Sequence, residues 1–262
     1  MLRRHLGSAL LTVGLLITTS PLARAGGRRA LLELFTSQGC SSCPPADKLL
    51  GDLTADPSLV AVSLPIDYWD YLGWKDTLAR PAHSARQRAY AHMREDRQVY
   101  TPQVVVNGGM HVLGSDRAAI ERVIAQTNRR DAAIMSLPVL VSVSDSDLMV
   151  NVGGSQKRRL DGEVWLWPLE RAVRVAIGRG ENRGRTITYH NVVRHRLKLG
   201  DFTGAAESWS IPAGEILTDG IDGAVVLVQE GTDEAPGIIL GAAFAPLGKQ
   251  MGDEQRQTTS AR

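Results

Sequence analysis

The two cysteines of this chain, Cys40 and Cys43, stand two residues apart, directly after the short apolar run Leu31-Leu32-Glu33-Leu34-Phe35. A chain that leaned on disulfide staples would spread its cysteines along the sequence. A bridge across so short a loop restricts the unfolded chain little. The fold must therefore be held by hydrophobic cores, and 43% apolar residues are enough to build them. The C-x-x-C spacing suits reversible dithiol chemistry or a soft metal better than a structural bridge.

The N-terminus sets the expected compartment. Arg3 and Arg4 open the chain, Ser8 to Thr19 is apolar, and Ala23-Arg24-Ala25 offers a small-x-small cleavage site. Residues 1–25 read as a secretory signal peptide, too short in its apolar part to span a bilayer, which takes about 20 apolar residues. The mature protein is expected to be periplasmic or secreted, with no membrane span. Removing Arg3, Arg4 and Arg24 from the 30 basic residues leaves 27 against 28 acidic ones, a net charge of −1 with His neutral. Neither this balance nor any basic cluster argues for nucleic acid as a partner.

The hydrophobic pattern changes character part-way along the chain. Residues 26–132 alternate between strand and helix patterns. Strands are expected at Ala30–Phe35, Leu59–Ile66 and Val104–Val106, and helices over Pro44–Ala55, Pro81–Gln98 and Arg117 to about Asn128. Asn107-Gly108-Gly109 signals a hairpin turn before His111–Leu113. Residues 133–247 carry only short strand patterns between Gly, Asp and Asn turns: two alternating runs about a polar turn over Val139–Val152, then Glu163–Trp167, Val173–Ile177, Thr186–Tyr189, Ser208–Ile211, Ala224–Val228 and Ile238–Phe244. The expected fold is an α/β N-terminal domain, a central sheet with helices packed on it, followed by an all-β, antiparallel sandwich-like C-terminal domain. Residues 248–262 are polar and read as a disordered tail.

A reactive cysteine needs a lowered pKa, because the thiolate is the nucleophile. A helix opening at Ser41–Pro44 places Cys40 at its N-terminus, where free N–H groups and the helix dipole favour an anion. Cys40 is then the expected nucleophile and Cys43 the resolving thiol. Thr101-Pro102, just before a β-branched strand, is the candidate cis-proline element beside the cysteines. Glu33, on the strand leading into the motif, and Asp67, at the end of the next strand, are the candidate buried carboxylates that take the resolving thiol's proton. Tyr68, Trp69 and Trp74 belong to an aromatic-rich segment that either shapes a substrate groove or lids the core.

The stretches Leu32–Asp47, Asp67–Asp76, Gln87–Tyr90, Tyr100–Gly108, Glu181–Arg185 and Tyr189–Arg194 resemble those of the uncharacterised secreted family known as domain of unknown function 1223. The resemblance runs from about Ala30 to Leu247. It implies a thioredoxin-like N-terminal domain with Cys40, Cys43, Thr101 and Pro102 at its site, and a β-rich C-terminal domain. The chain departs from the family at Pro65, where members often carry His.

The expected activity is thiol–disulfide exchange on protein thiols or with a redox partner protein, using the cysteine pair and no cofactor. One alternative is a copper-handling protein holding Cu(I) on Cys40, Cys43 and His111. The other is a non-catalytic binding module on an inherited scaffold.

Overall fold

The computed structural model describes residues 29–144, 146–155, 161–218 and 220–247. The expected signal peptide 1–25 and tail 248–262 lie outside these residues. In chain order the elements are β1 (Ala30–Thr36), α1 (Pro44–Leu53), β2 (Leu59–Pro65), α2 (Pro81–Met93), β3 (Gln103–Val106), β4 (Met110–Leu113) and α3 (Arg117–Arg130), then β5 (Val139–Val143), β6 (Asp147–Val152), β7 (Gly162–Ala176), β8 (Thr186–Val193), β9 (Leu197–Phe202), β10 (Glu207–Pro212), a short α4 (Ala213–Ile216), β11 (Gly223–Gly231) and β12 (Pro236–Pro246).

Local signals account for many of the boundaries. Prolines occupy the first turns of α1 and α2, where a missing N–H costs nothing. Asp116 caps α3 through Ala119 N at 2.8 Å. Asn107 and Gly108 both take positive φ, 52° and 72°, in the turn between β3 and β4.

The expected division into a thioredoxin-like α/β domain and a separate all-β domain is incorrect. The molecule is mostly β, 42% strand against 21% helix, and one mixed nine-stranded sheet draws on both halves of the chain. The order is β12-β11-β7-β8-β2-β1-β3-β4, with β9 also paired to β7. The halves meet where β8 runs parallel to β2, with Ser63 opposite Val192. One core spans the junction: Phe35, Val62, Leu64 and Val105 pack with Trp167, Leu169, Val193, Val225, Leu227 and Ile239. Sequence periodicity identifies a strand but not its neighbour, so the open edge of β2 and its partner in β8 left no signal in the sequence.

Alternation then assigns the faces. Leu31 and Phe35 of β1 face Tyr90 of α2, whereas Leu32 and Leu34 face Ala46 and Leu50 of α1. A second sheet, β10-β6-β5, packs its Val139, Val141, Leu148 and Val150 against Val164, Leu166, Val226 and Val228 of the large one. The segments expected as separate strands at Glu163–Trp167 and Val173–Ile177 merge into the 15-residue β7, and β9 had no expectation at all.

Candidate functional site

The loop between β1 and α1 carries Cys40 and Cys43, joined as a disulfide with Cα atoms 5.4 Å apart. Cys43 is fully buried, and Cys40 keeps 5% of its surface exposed. Two distant segments hold this loop. Asp76 accepts from Gln38 N at 2.7 Å and from Leu78 N and Ala79 N at 2.8 and 3.1 Å. Burial pushes the Asp76 carboxyl upward, and these N–H groups oppose the shift. Trp74 Nε1 donates to Gln38 Oε1 at 2.8 Å. Asn182, buried in the β7–β8 loop, donates to Gln38 O at 3.0 Å and Cys40 O at 2.8 Å. Beside it, Glu181 accepts from Ser41 N at 3.2 Å. Asn182→Ala removes the side-chain donor from Gln38 O and leaves Cys40 O with the Cys43 N–H alone, so a loss of about 1–3 kcal/mol in urea unfolding is expected. An unchanged midpoint would remove Asn182 as the clamp.

On the opposite side of the disulfide, Thr101 precedes Pro102 through a cis bond. Thr101 O lies 3.8 Å from Cys40 Sγ. Trp69 Nε1 donates to Thr101 Oγ1 at 2.7 Å, and Trp69 stacks on Tyr71, which is 76% exposed. Trp69 and Trp74 thus wall the disulfide loop. Tyr68 turns instead to α2, bonding Gln87 Oε1 at 3.1 Å, and burial raises its hydroxyl to about 12.

Both expected acids face α2. Glu33 shares the β1 face of Leu31 and Phe35, away from α1. It takes Arg86 Nε at 2.6 Å, Arg86 Nη2 at 3.1 Å and the Tyr90 hydroxyl at 2.6 Å. Gln229 of β11 closes this network by accepting from Arg86 at 2.8 Å. The Arg86 guanidinium also lies 4.8 and 4.7 Å from the Tyr90 and Trp167 ring centroids. Asp67 accepts from Ser84 Oγ at 2.5 Å.

The carboxyl on the cysteines' side of the sheet is Asp47, which sequence reasoning missed. It follows Cys43 by four residues, which in a helical turn stacks the two on one face, and its backbone N–H bonds Cys43 O at 3.1 Å. Its Oδ1 accepts from Thr36 Oγ1 at 2.8 Å, and its buried Oδ2 has no partner. Burial drives its pKa up to about 8, partly offset by Thr36 and reinforced by Asp76. The spacing Cys43-Pro-Pro-Ala-Asp47 was the available clue. Gly51 lets α1 carry Asp47 close to β8, since a Cβ there would fall 2.6 Å from His190 Cδ2.

His111 is tied at both ring nitrogens, Nδ1 to Tyr100 Oη at 2.9 Å and Nε2 to Asp96 Oδ2 at 3.1 Å. Burial lowers its pKa. Among the described residues no group of three or more His, Cys, Asp or Glu is placed to hold a metal ion. No helix among them is long and apolar enough to cross a membrane.

The pattern described as Protein of unknown function (DUF1223) matches residues 31–229, most of the chain. The chain belongs to that family. It is also similar to the crystal structure of Protein AGR_C_4864 from Agrobacterium tumefaciens, a structural genomics target. That likeness has a TM-score of 0.76 at 29% identity and covers 86% of this chain and 96% of that one. No curated protein matches the chain. The family membership brings no activity with it, so function rests on the chemistry of the site.

Proposed function

We propose that this family member is an exported thiol–disulfide oxidoreductase acting on protein thiols and disulfides, periplasmic or secreted as the N-terminal segment suggests. The observation that carries the reading is the pairing of the Cys40–Cys43 disulfide with the buried, high-pKa carboxyl of Asp47 one helical turn beyond Cys43. The unequal burial of the two cysteines supports an order for the chemistry, with Cys40 meeting substrate and Cys43 resolving.

In the reducing direction the Cys40 thiolate attacks one sulfur of a substrate disulfide. A Cys40–substrate bond forms, and the other substrate sulfur leaves as a thiolate that takes a proton from solvent. Cys43 passes its proton to the Asp47 carboxylate and attacks Cys40 Sγ. The second substrate sulfur is expelled and the Cys40–Cys43 bond closes. The substrate gains two electrons and the protein dithiol loses two. Thr101 and the walls formed by Trp69 and Trp74 flank the sulfur where a substrate chain would lie.

The test is a trapping experiment with Cys43→Ser. Without its resolving thiol, Cys40 should accumulate a mixed disulfide with a model substrate such as insulin. Wild type should turn that substrate over, and Cys40→Ser should do neither. A Cys43→Ser protein that traps nothing, with wild type equally inert, would overturn the proposal in favour of a binding module.

A further inference from the structure

We propose that Cys40–Cys43 is a reducing couple, which delivers electrons to disulfide-bonded proteins and is recharged by an external dithiol donor. The inference rests on the exchange reading above and supplies its direction. A dithiol couple becomes oxidising when the protein stabilises the thiolate of its reduced form, and reducing when it does not. Three features of the surroundings of Cys40 withhold that stabilisation.

The first is the start of α1. A helix N-terminus stabilises an anion through its free N–H groups, and that was the sequence expectation here. Pro44 and Pro45 have no N–H to offer. The N–H groups of Ala46 and Asp47 both bond Cys43 O, at 2.8 and 3.1 Å, and that of Cys43 bonds Cys40 O at 3.2 Å. Among the described residues of this turn, only Ser42 keeps an N–H to offer.

The second is Glu181. Its carboxylate occupies Ser41 N–H, the donor adjacent to Cys40, and sets a negative charge against the residue that follows Cys40. The third is Thr101 O, an acceptor 3.8 Å from Cys40 Sγ. A carbonyl can accept from a thiol but can only repel a thiolate. The loop that carries Glu181 also carries the exposed Arg179, Arg183 and Arg185, and Arg185 lines one cavity with Pro44 and Lys48. Asp47 and Asp76 are both buried, and burial disfavours the charged form of each carboxyl. Lys48, exposed on α1, is the basic residue nearest in sequence.

Substrates are then the disulfides of exported proteins. In each turnover two electrons pass from the donor dithiol to the Cys40–Cys43 disulfide, and from the resulting dithiol to the substrate disulfide. The reaction that supplies this protein is a dithiol oxidation, and the one it drives is disulfide reduction.

The experiment equilibrates the mature protein with glutathione and then dithiothreitol buffers, traps free thiols, and separately follows Cys40 alkylation against pH. Wild type should stay oxidised in glutathione mixtures and open in dithiothreitol, with Cys40 titrating at or above the free-cysteine value of about 8.5. Glu181→Gln, an exposed change, should move the equilibrium roughly threefold toward the dithiol, about 14 mV for a two-electron couple. Pro45→Ala, which restores an N–H, should move it the same way. A pair that opens in ordinary glutathione mixtures, with Cys40 titrating well below 8.5, would overturn the direction and leave exchange standing. A bridge that no buffer opens without unfolding the chain would overturn both.

Discussion

Asp47→Asn should slow disulfide turnover about 100-fold, the lower end of what a positioned proton acceptor contributes, while making the protein more stable at neutral pH. The two effects have one cause. Asp47 is buried with a single hydrogen bond, so its anion is poorly supported, and its pKa rises from 3.8 to about 8. That poise near neutrality makes it a usable proton acceptor for Cys43. It also means that the folded protein binds a proton more tightly than the unfolded chain does. Stability from this group is therefore complete below about pH 4 and is lost as pH rises towards 8. Asparagine removes that loss, so the variant should match wild type at pH 4 and exceed it at pH 7 by on the order of 2 kcal/mol. Urea unfolding at the two pH values measures the stability half, and insulin-reduction kinetics the other. Wild-type turnover in Asp47→Asn would end its role as proton acceptor, whatever the stability does.

Glu33→Ala should destabilise the fold by about 3–5 kcal/mol. Glu33 and Arg86 are both essentially unexposed, 0% and 1%, and Glu33 is also the acceptor for Tyr90. Removing the carboxylate strands a guanidinium in a core shared by both halves of the chain. Asp233 lies 3.7 Å from Arg86 Nη1 and offers only partial relief. The loss should appear as a shifted urea midpoint with unchanged slope. Replacing both partners by apolar residues of similar volume should recover much of it, since two charges then no longer need burial. Exchange activity per folded molecule should stay at the wild-type level, because Glu33 sits on the sheet face opposite α1. A fall in that specific activity with little loss of stability would instead return Glu33 to the site.

These two carboxylates show where sequence reasoning worked and where it stopped. Glu33 stands out in the sequence because it lies on the strand that leads into the cysteine motif, and Asp67 because it ends the next strand. Alternation along β1 puts Glu33 on one face and the cysteine helix packs on the other, a choice made by which residues α1 and α2 bury. Asp47 was legible from its spacing to Cys43 alone, because a helical turn brings residues four apart together whatever surrounds it. Asn182 and Glu181 had no local signal. They lie 144 and 140 positions from Gln38 and Ser41, which they bond, and the pairing of β8 with β2 brings them there.

The sequence by itself determined the features that depend on neighbours along the chain. These are the dithiol spacing, the prolines that open α1 and α2, the Asp116 cap, the Asn107-Gly108 turn and most of the strands. Tertiary structure alone decided that the two halves form one sheet with a common core, that Glu33 is buried against Arg86, and that Glu181 and Asn182 close over the disulfide loop. The physical reason is that propensity, capping and turn geometry act over a few residues. The partner of an exposed strand edge is chosen by how much apolar surface the whole chain can bury at once.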